Sequence, residues 1–382
     1  MREDFAPAAP LLVAGGRRSL GTQRGGRPHT ALPSDWEGLA DAADRHGMST
    51  WMHAAVADWP DAPEQVRDRI AARARLQRMR ALQAVSELST VTALLNGAGI
   101  ESVAIKGPLF AQWLYGDTGM RRFADLDLLI DRALRDRALQ TLGTAGYRLP
   151  GGLSAAAART VFAGTGAWPL VHDTAIGIDL HWKLQAVGFG APLGSGDVLR
   201  ESETTIVAGS TIRVPAPAHA AALALLHAAK HLWASLELVL AIAHLTRRSD
   251  VDWTRVHRIA TRAGAWRGAA AGLVLAGEIF AVEAPSELRK WIRPRDARPL
   301  VDAALTFLAM PDVAGATLRA EIEAHWAALD GVGPRARYAA WRLLAPTPLE
   351  AAWWPLPDRL APLYAPLRLI RLLTVRRRDG RR

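Results

Sequence analysis

The chain has 382 residues, half of them hydrophobic, with 47 Lys plus Arg against 37 Asp plus Glu and a formal charge of +10. That balance is globular, not disordered, and the length allows two domains with tails. The lack of cysteine excludes disulfides, thiolate zinc sites and thiol catalysis, and no apolar run reaches the ~20 residues of a membrane span.

Residues 1–33 are rich in Gly, Pro, Arg and Ala without periodicity and read as a disordered tail. Their apolar stretch APAAPLLVAGG is too short and too broken by Pro for a secretory signal, so the cytoplasm is the expected compartment. Ser34 is expected to cap a helix beginning DWEGLADAADRHG. A long helical pattern follows from Pro63 to about Asn96, Arg-dense in its first half and apolar in its second. Residues 34–100 thus read as a helical lead-in.

ESVAIKG (101–107) reads as a first core strand, residues 108–115 as a short helix, and FADLDLLI (123–130) as a second strand. Successive strand side chains point to opposite faces, so Asp125 and Asp127 share one face while Leu126, Leu128 and Ile130 take the other. Two adjacent carboxylates raise each other's pKa unless a cation lies between them. An Asp-x-Asp at a strand end can be a solvated edge. Beside Lys106-Gly107, Arg121 and Arg122 it points instead to a hard divalent metal, Mg²⁺ first, next to a phosphate.

An amphipathic helix ending at a Gly follows, then WPLVHD (168–173) and TAIGIDLHWKL (174–184), which read as a hairpin. Alternation sets Ile176, Ile178, Leu180 and Trp182 on one face and Asp179, His181 and Lys183 on the other. Asp179 is a third carboxylate. With the pair it makes a two-metal arrangement, one ion activating a hydroxyl and the other holding a triphosphate. Residues 204–214 read as a further hairpin with an Ala-Gly-Ser turn. The fold class is α+β, with a small mixed β-sheet core over 101–214 between helical regions at 34–100 and 215–364.

From Pro215 the pattern is helical, near 217–233, 236–247, 252–263, 265–283 and 316–329, with more beyond 334. His227 and His231 are spaced i, i+4 beside Lys230. Such a pair can hold zinc, but Ala228 stands where a zinc protease motif needs Glu. The other reading is helix packing near the active site, with His227 or Lys230 reaching nucleotide or acceptor. Trp253, Trp266, Trp291, Trp326, Trp341, Trp353 and Trp354 read as core or as a stacking wall. At the end, Leu367, Ile370 and Leu373 form a stripe followed by Arg376, Arg377, Arg378, Arg381 and Arg382. This tail, 365–382, either touches an anionic membrane, RNA or an acidic partner, or is a solvated helix end. Elsewhere the Arg residues are scattered, so the charge is no nucleic-acid footprint and suits an anionic substrate. Only Lys106, Lys183, Lys230 and Lys290 are lysines. Where an Arg-rich chain keeps Lys, a compact ammonium is expected to matter.

The order strand, Lys-Gly, helix, Tyr-Gly-Asp-x-x-x-Arg-x-x-x-Asp-x-Asp-Leu-Leu, helix, Ile-Asp-Leu-His-Trp resembles the bacterial type 5 nucleotidyltransferase family. That family is similar to the DNA-polymerase-β-like nucleotidyltransferases, and some members sit in peptide natural-product gene clusters. The resemblance is densest over about 101–183 and weaker through HAAKH (227–231). It implies transfer of a nucleoside monophosphate, AMP from ATP, onto a hydroxyl or phosphate of a small molecule, peptide natural product or protein, with release of pyrophosphate. It implies that Asp125 and Asp127 bind two Mg²⁺ ions, and that Asp179 completes one site and accepts the hydroxyl proton. Gly107 and Lys106 would meet the triphosphate, with Lys183 a further cation on the Asp179 face, and Arg121 would hold a phosphate or brace the strands. Two positions matter. Gly107-Pro108 stands where the better-known nucleotidyltransferases have Gly-Ser and lacks its hydroxyl and second N–H, although Lys-Gly is common in the type 5 group. Ala241 occupies the place of a helical Asp, with Glu237 an imperfect substitute. These departures keep open a second class, a catalytically silent nucleotide- or partner-binding subunit of a biosynthetic assembly.

Overall fold

The computed structural model describes residues 9–22, 36, 38–184, 195–207, 209–309 and 318–379, the side chains of 375–379 excepted. Six strands form one mixed sheet: β1 (Ser102–Ala104), β2 (Asp125–Ile130), β3 (Ala167–Leu170), β4 (Gly177–His181), β5 (Glu203–Val207) and β6 (Ser210–Val214). Their order across the sheet is β3-β4-β2-β1-β6-β5. β2 lies antiparallel to β1 and parallel to β4, and the β3–β4 and β5–β6 pairs are the two expected hairpins. The α+β reading therefore holds.

The register follows from the apolar alternation, since a slip of one residue would turn every buried side chain to the other face. Leu126, Leu128 and Ile130 of β2 join Ile178, Leu180 and Trp182 in one core. The second half of the helix Glu64–Gly97 packs on that face through Leu88, Val91 and Leu95. The opposite face carries the carboxylates and, through Val103 and Leu129, meets a larger helical core. The helices Pro217–Lys230, Leu236–Leu245, Trp253–Ala263 and Trp266–Phe280 build that core. No helix among the described residues is long and apolar enough to cross a membrane.

Four readings change. Within the stretch read as a disordered tail, Ala9–Ser19 is a helix with Leu11, Leu12 and Val13 buried. Gly15 and Gly16 let that helix approach closely. A Cβ on Gly15 would stand 2.6 Å from Met52 Sδ, and one on Gly16 would collide with the Phe280 ring. Residues 1–8 and 23–33, and the Ser34 cap, lie outside the described residues. A helix at Pro294–Ala309, with Pro299 inside it, was not anticipated. Of the seven C-terminal tryptophans only Trp253 is fully in the core, whereas Trp326 and Trp353 are exposed. At the C-terminus, Leu367 packs on the sheet-side core while Ile370 and Leu373 are exposed. Arg368 and Arg371 are tied to the buried carboxylate of Glu350, so part of the basic segment is internally neutralised. Arg381 and Arg382 and the side chains of Arg376–Arg378 lie outside the described residues.

Candidate active site

Parallel pairing of β2 with β4 sets Asp127 directly beside Asp179 and Leu129 beside His181. Alternation then brings Asp125, Asp127, Asp179 and His181 to one face, as the sequence required. One donor atom each of Asp127, Asp179 and His181 lies within 4.8 Å of the other two. His181 is the member that the predicted ligand set lacked, although its place two residues after Asp179 already put it on that face. Asp125, one step toward the strand end, is more open and stands outside this tight group.

The chain turns sharply after β1. Ile105 donates its N–H to the Asp127 carbonyl at 3.1 Å, and Gly107 adopts φ +70°, a conformation that costs a residue with a Cβ roughly 1–2 kcal/mol. That turn starts the helix Gly107–Tyr115 and points Lys106 back at the sheet. Lys106 Nζ lies 2.7 Å from Asp127 Oδ1, and His181 Nε2 lies 2.9 Å from the same oxygen. No side chain caps the start of this helix, so its first amides remain available to an anion. Pro108 brings none, as the sequence indicated.

Electrostatics separate the carboxylates. Burial pushes the Asp127 carboxyl upward, but Lys106 and His181 outweigh it and hold the group far below the usual range. Asp125 is pushed up to about 6, first by burial and then by repulsion from Asp127 and Asp179. A site that keeps one carboxylate ionised and repels charge from its neighbour is short of positive charge. His181 Nδ1 is buried and lacks a hydrogen-bond partner among the described residues. Two carboxylates and an imidazole with one orphaned nitrogen fit a divalent cation. The nitrogen donor admits Mn²⁺ or Zn²⁺ as well as Mg²⁺.

Above the sheet, Lys106, Arg121, Phe110, His227 and Ala241 line a narrow cleft. His227 is driven well below the normal histidine range by burial, then by Lys106 and His231, and is held neutral. Lys230, on the same helix as His227, has an exposed surface yet is crowded by protein atoms, and that desolvation together with Lys106 lowers its pKa. The His227 and His231 rings are 4.4 Å apart between centroids. Among the described residues, no third metal-type ligand joins them.

Arg121 is directed to the helix Leu236–Leu245 and not across the strands. Its Nε is 3.1 Å from Glu237 Oε1, both side chains are buried, and the guanidinium lies over the Phe110 ring at 5.3 Å. Ala241 faces the cleft where a carboxylate was looked for. Glu237, one helical turn earlier, is directed to Arg121 and not to the sheet. Lys183 stands beside Arg132, with its stem against Gly166. It makes no ion pair with the three carboxylates among the described residues.

A family model described as an uncharacterised nucleotidyltransferase matches residues 33–281, well over half of the chain. The chain belongs to that family and is a nucleotidyltransferase. No curated protein and no solved structure matches it.

Proposed function

We propose that the protein transfers a nucleoside monophosphate, AMP from ATP, to a hydroxyl on a small molecule, peptide natural product or protein, releasing pyrophosphate. The observation that carries this reading is the register that puts Asp127, Asp179 and His181 side by side, with Lys106 and the open helix end at Gly107 against them.

Asp127, Asp179 and His181 would hold one divalent metal, Mg²⁺ in this reading, and Asp125 would help hold a second. When bound, such ions polarise phosphate oxygens and lower the pKa of a hydroxyl. Lys106 and the Gly107 amide would bind the β- and γ-phosphates, offsetting charge that builds on the leaving group. Arg121, held by Glu237, and Lys230, whose charge is felt at Asp127 and Asp179, add positive potential near the same site. The acceptor oxygen bonds to the α-phosphorus, and the bond from that phosphorus to the oxygen bridging to the β-phosphate breaks. Asp179 takes the hydroxyl proton.

The test is calorimetric titration of a non-hydrolysable ATP analogue with and without Mg²⁺ or Mn²⁺, on the wild type, Asp127→Asn and Asp179→Asn. Metal-dependent binding that is lost in both variants, with circular dichroism unchanged, supports the reading. Equal binding in all three proteins would remove it. Ala241 in the cleft and the missing Pro108 amide favour a second reading, nucleotide binding without turnover. Pyrophosphate release with any acceptor excludes that one.

A further inference from the structure

Beside the cleft lies a second cavity of about 310 Å³, small among ligand pockets. We infer that it binds the acceptor, and that the acceptor carries a phosphate or carboxylate next to an apolar group. This rests on the transferase reading above.

Three observations support it. First, the cavity adjoins the catalytic face. Arg121 lines both it and the cleft over Lys106, and Phe123 in its lining is two residues before Asp125 of β2. Secondly, its walls are strongly basic. Arg73, Arg80, Arg121 and Arg122 line it with one carboxylate, Asp44, while Arg73 is also paired with Asp41 outside the lining. Asp44 is committed to Arg73 at 3.1 Å and is 3.9 Å from Arg122, and Arg121 is committed to Glu237. Arg80 has no ion pair among the described residues. A planar guanidinium fork matches phosphate and carboxylate oxygens in pairs. Thirdly, the cavity is built and partly apolar. Leu76, 47% exposed on an otherwise Arg-rich helix, and Phe123 both line it. The buried Gln77, also in the lining, donates to the Gly119 carbonyl at 2.8 Å, and Thr50 donates to the same oxygen at 3.0 Å. These two bonds fix the loop that presents Arg121 and Arg122.

The experiment titrates phenyl phosphate, phenylacetate and benzyl alcohol separately into the full chain by calorimetry. It is repeated with Mg²⁺ and the ATP analogue at saturation. Either anion should bind, which one telling phosphate from carboxylate, and benzyl alcohol should bind at least tenfold more weakly. The double variant Arg80→Ala/Arg122→Ala should weaken the anion at least tenfold while leaving the metal-dependent nucleotide titration unchanged. Asp127→Asn should do the reverse. Failure of both anions to bind, equal binding of the alcohol, an unaffected Arg variant, or displacement of the probe by nucleotide would each overturn the inference. Probe binding intact in a wild type that binds no nucleotide would sink the transferase reading, and with it the acceptor role, but leave an anion pocket standing.

Discussion

Arg121 and Glu237 offer the sharpest test of how the site is held. Their side chains are 11% and 7% exposed, with 3.1 Å between Nε and Oε1. At an effective dielectric of ~20 the attraction is about 5 kcal/mol. Burial nevertheless pushes the Glu237 carboxyl upward against the pull of Arg121 and Arg122, so desolvation absorbs much of that gain. Removing one partner from a buried pair costs about 3–5 kcal/mol, and the lower end is expected here. Arg121→Met and Glu237→Gln should each lose about 3 kcal/mol in urea unfolding at pH 8, and the double variant much less than their sum. The two single variants should differ in acid. In Arg121→Met the orphaned carboxyl has a raised folded pKa, which destabilises above that pKa and is relieved as pH falls through it. Its loss should therefore shrink at pH 5.5. In Glu237→Gln the guanidinium cannot shed its proton, so its loss should not shrink. Additive losses below about 1 kcal/mol, or the same pH response in both, would refute a buried, coupled pair.

Other outcomes follow from single contacts. Gly107→Ala meets open space, its nearest neighbour being the Asp125 carbonyl at 4.0 Å, so only its φ is strained. It should lose about 1–2 kcal/mol by urea unfolding and weaken nucleotide binding. Gly16→Ala should cost about 1–3 kcal/mol through overpacking against Phe280, and equal stability would mean that the N-terminal helix is not docked. Glu350 is depressed to about 2, burial being outweighed by Thr347 and Arg371. The stability it contributes is complete above the unfolded carboxyl pKa of about 4.3 and lost as pH falls through 2. Trp353, 5.9 Å from the Arg371 guanidinium, should report that release in fluorescence, and Glu350→Gln should remove the transition. His46 and His244 are both held near 4 by burial, so stability should fall as pH drops from the unfolded value near 6.5 through 4. A melting temperature flat over that range would contradict it.

The sheet was legible because its information is local. Alternating Leu and Asp in β2 and Ile and Asp in β4 specify which side chains share a face, and the Gly-Ser turn specifies the last hairpin. The carboxylate face was therefore readable from the chain alone. The packing of helices was not. Gly15-Gly16 resembles a flexible tail until Met52 and Phe280 are seen to need the space, and exposed Trp326 and Trp353 look like core in a list of residues. The choice of ligands was only half readable. Alternation named Asp125, Asp127 and Asp179 as ligands and put His181 on their face without naming it as one, and register decided that Asp127 meets Asp179 across two strands while Asp125 stands apart. That register is a pairing between segments about fifty residues apart, with no local signature of its own. Likewise Glu237 could be read as a poor substitute for a missing Asp. Only the fold, bringing it to Arg121 across more than a hundred residues of chain, made it the buried counter-charge that holds the wall between the cleft and its neighbouring cavity.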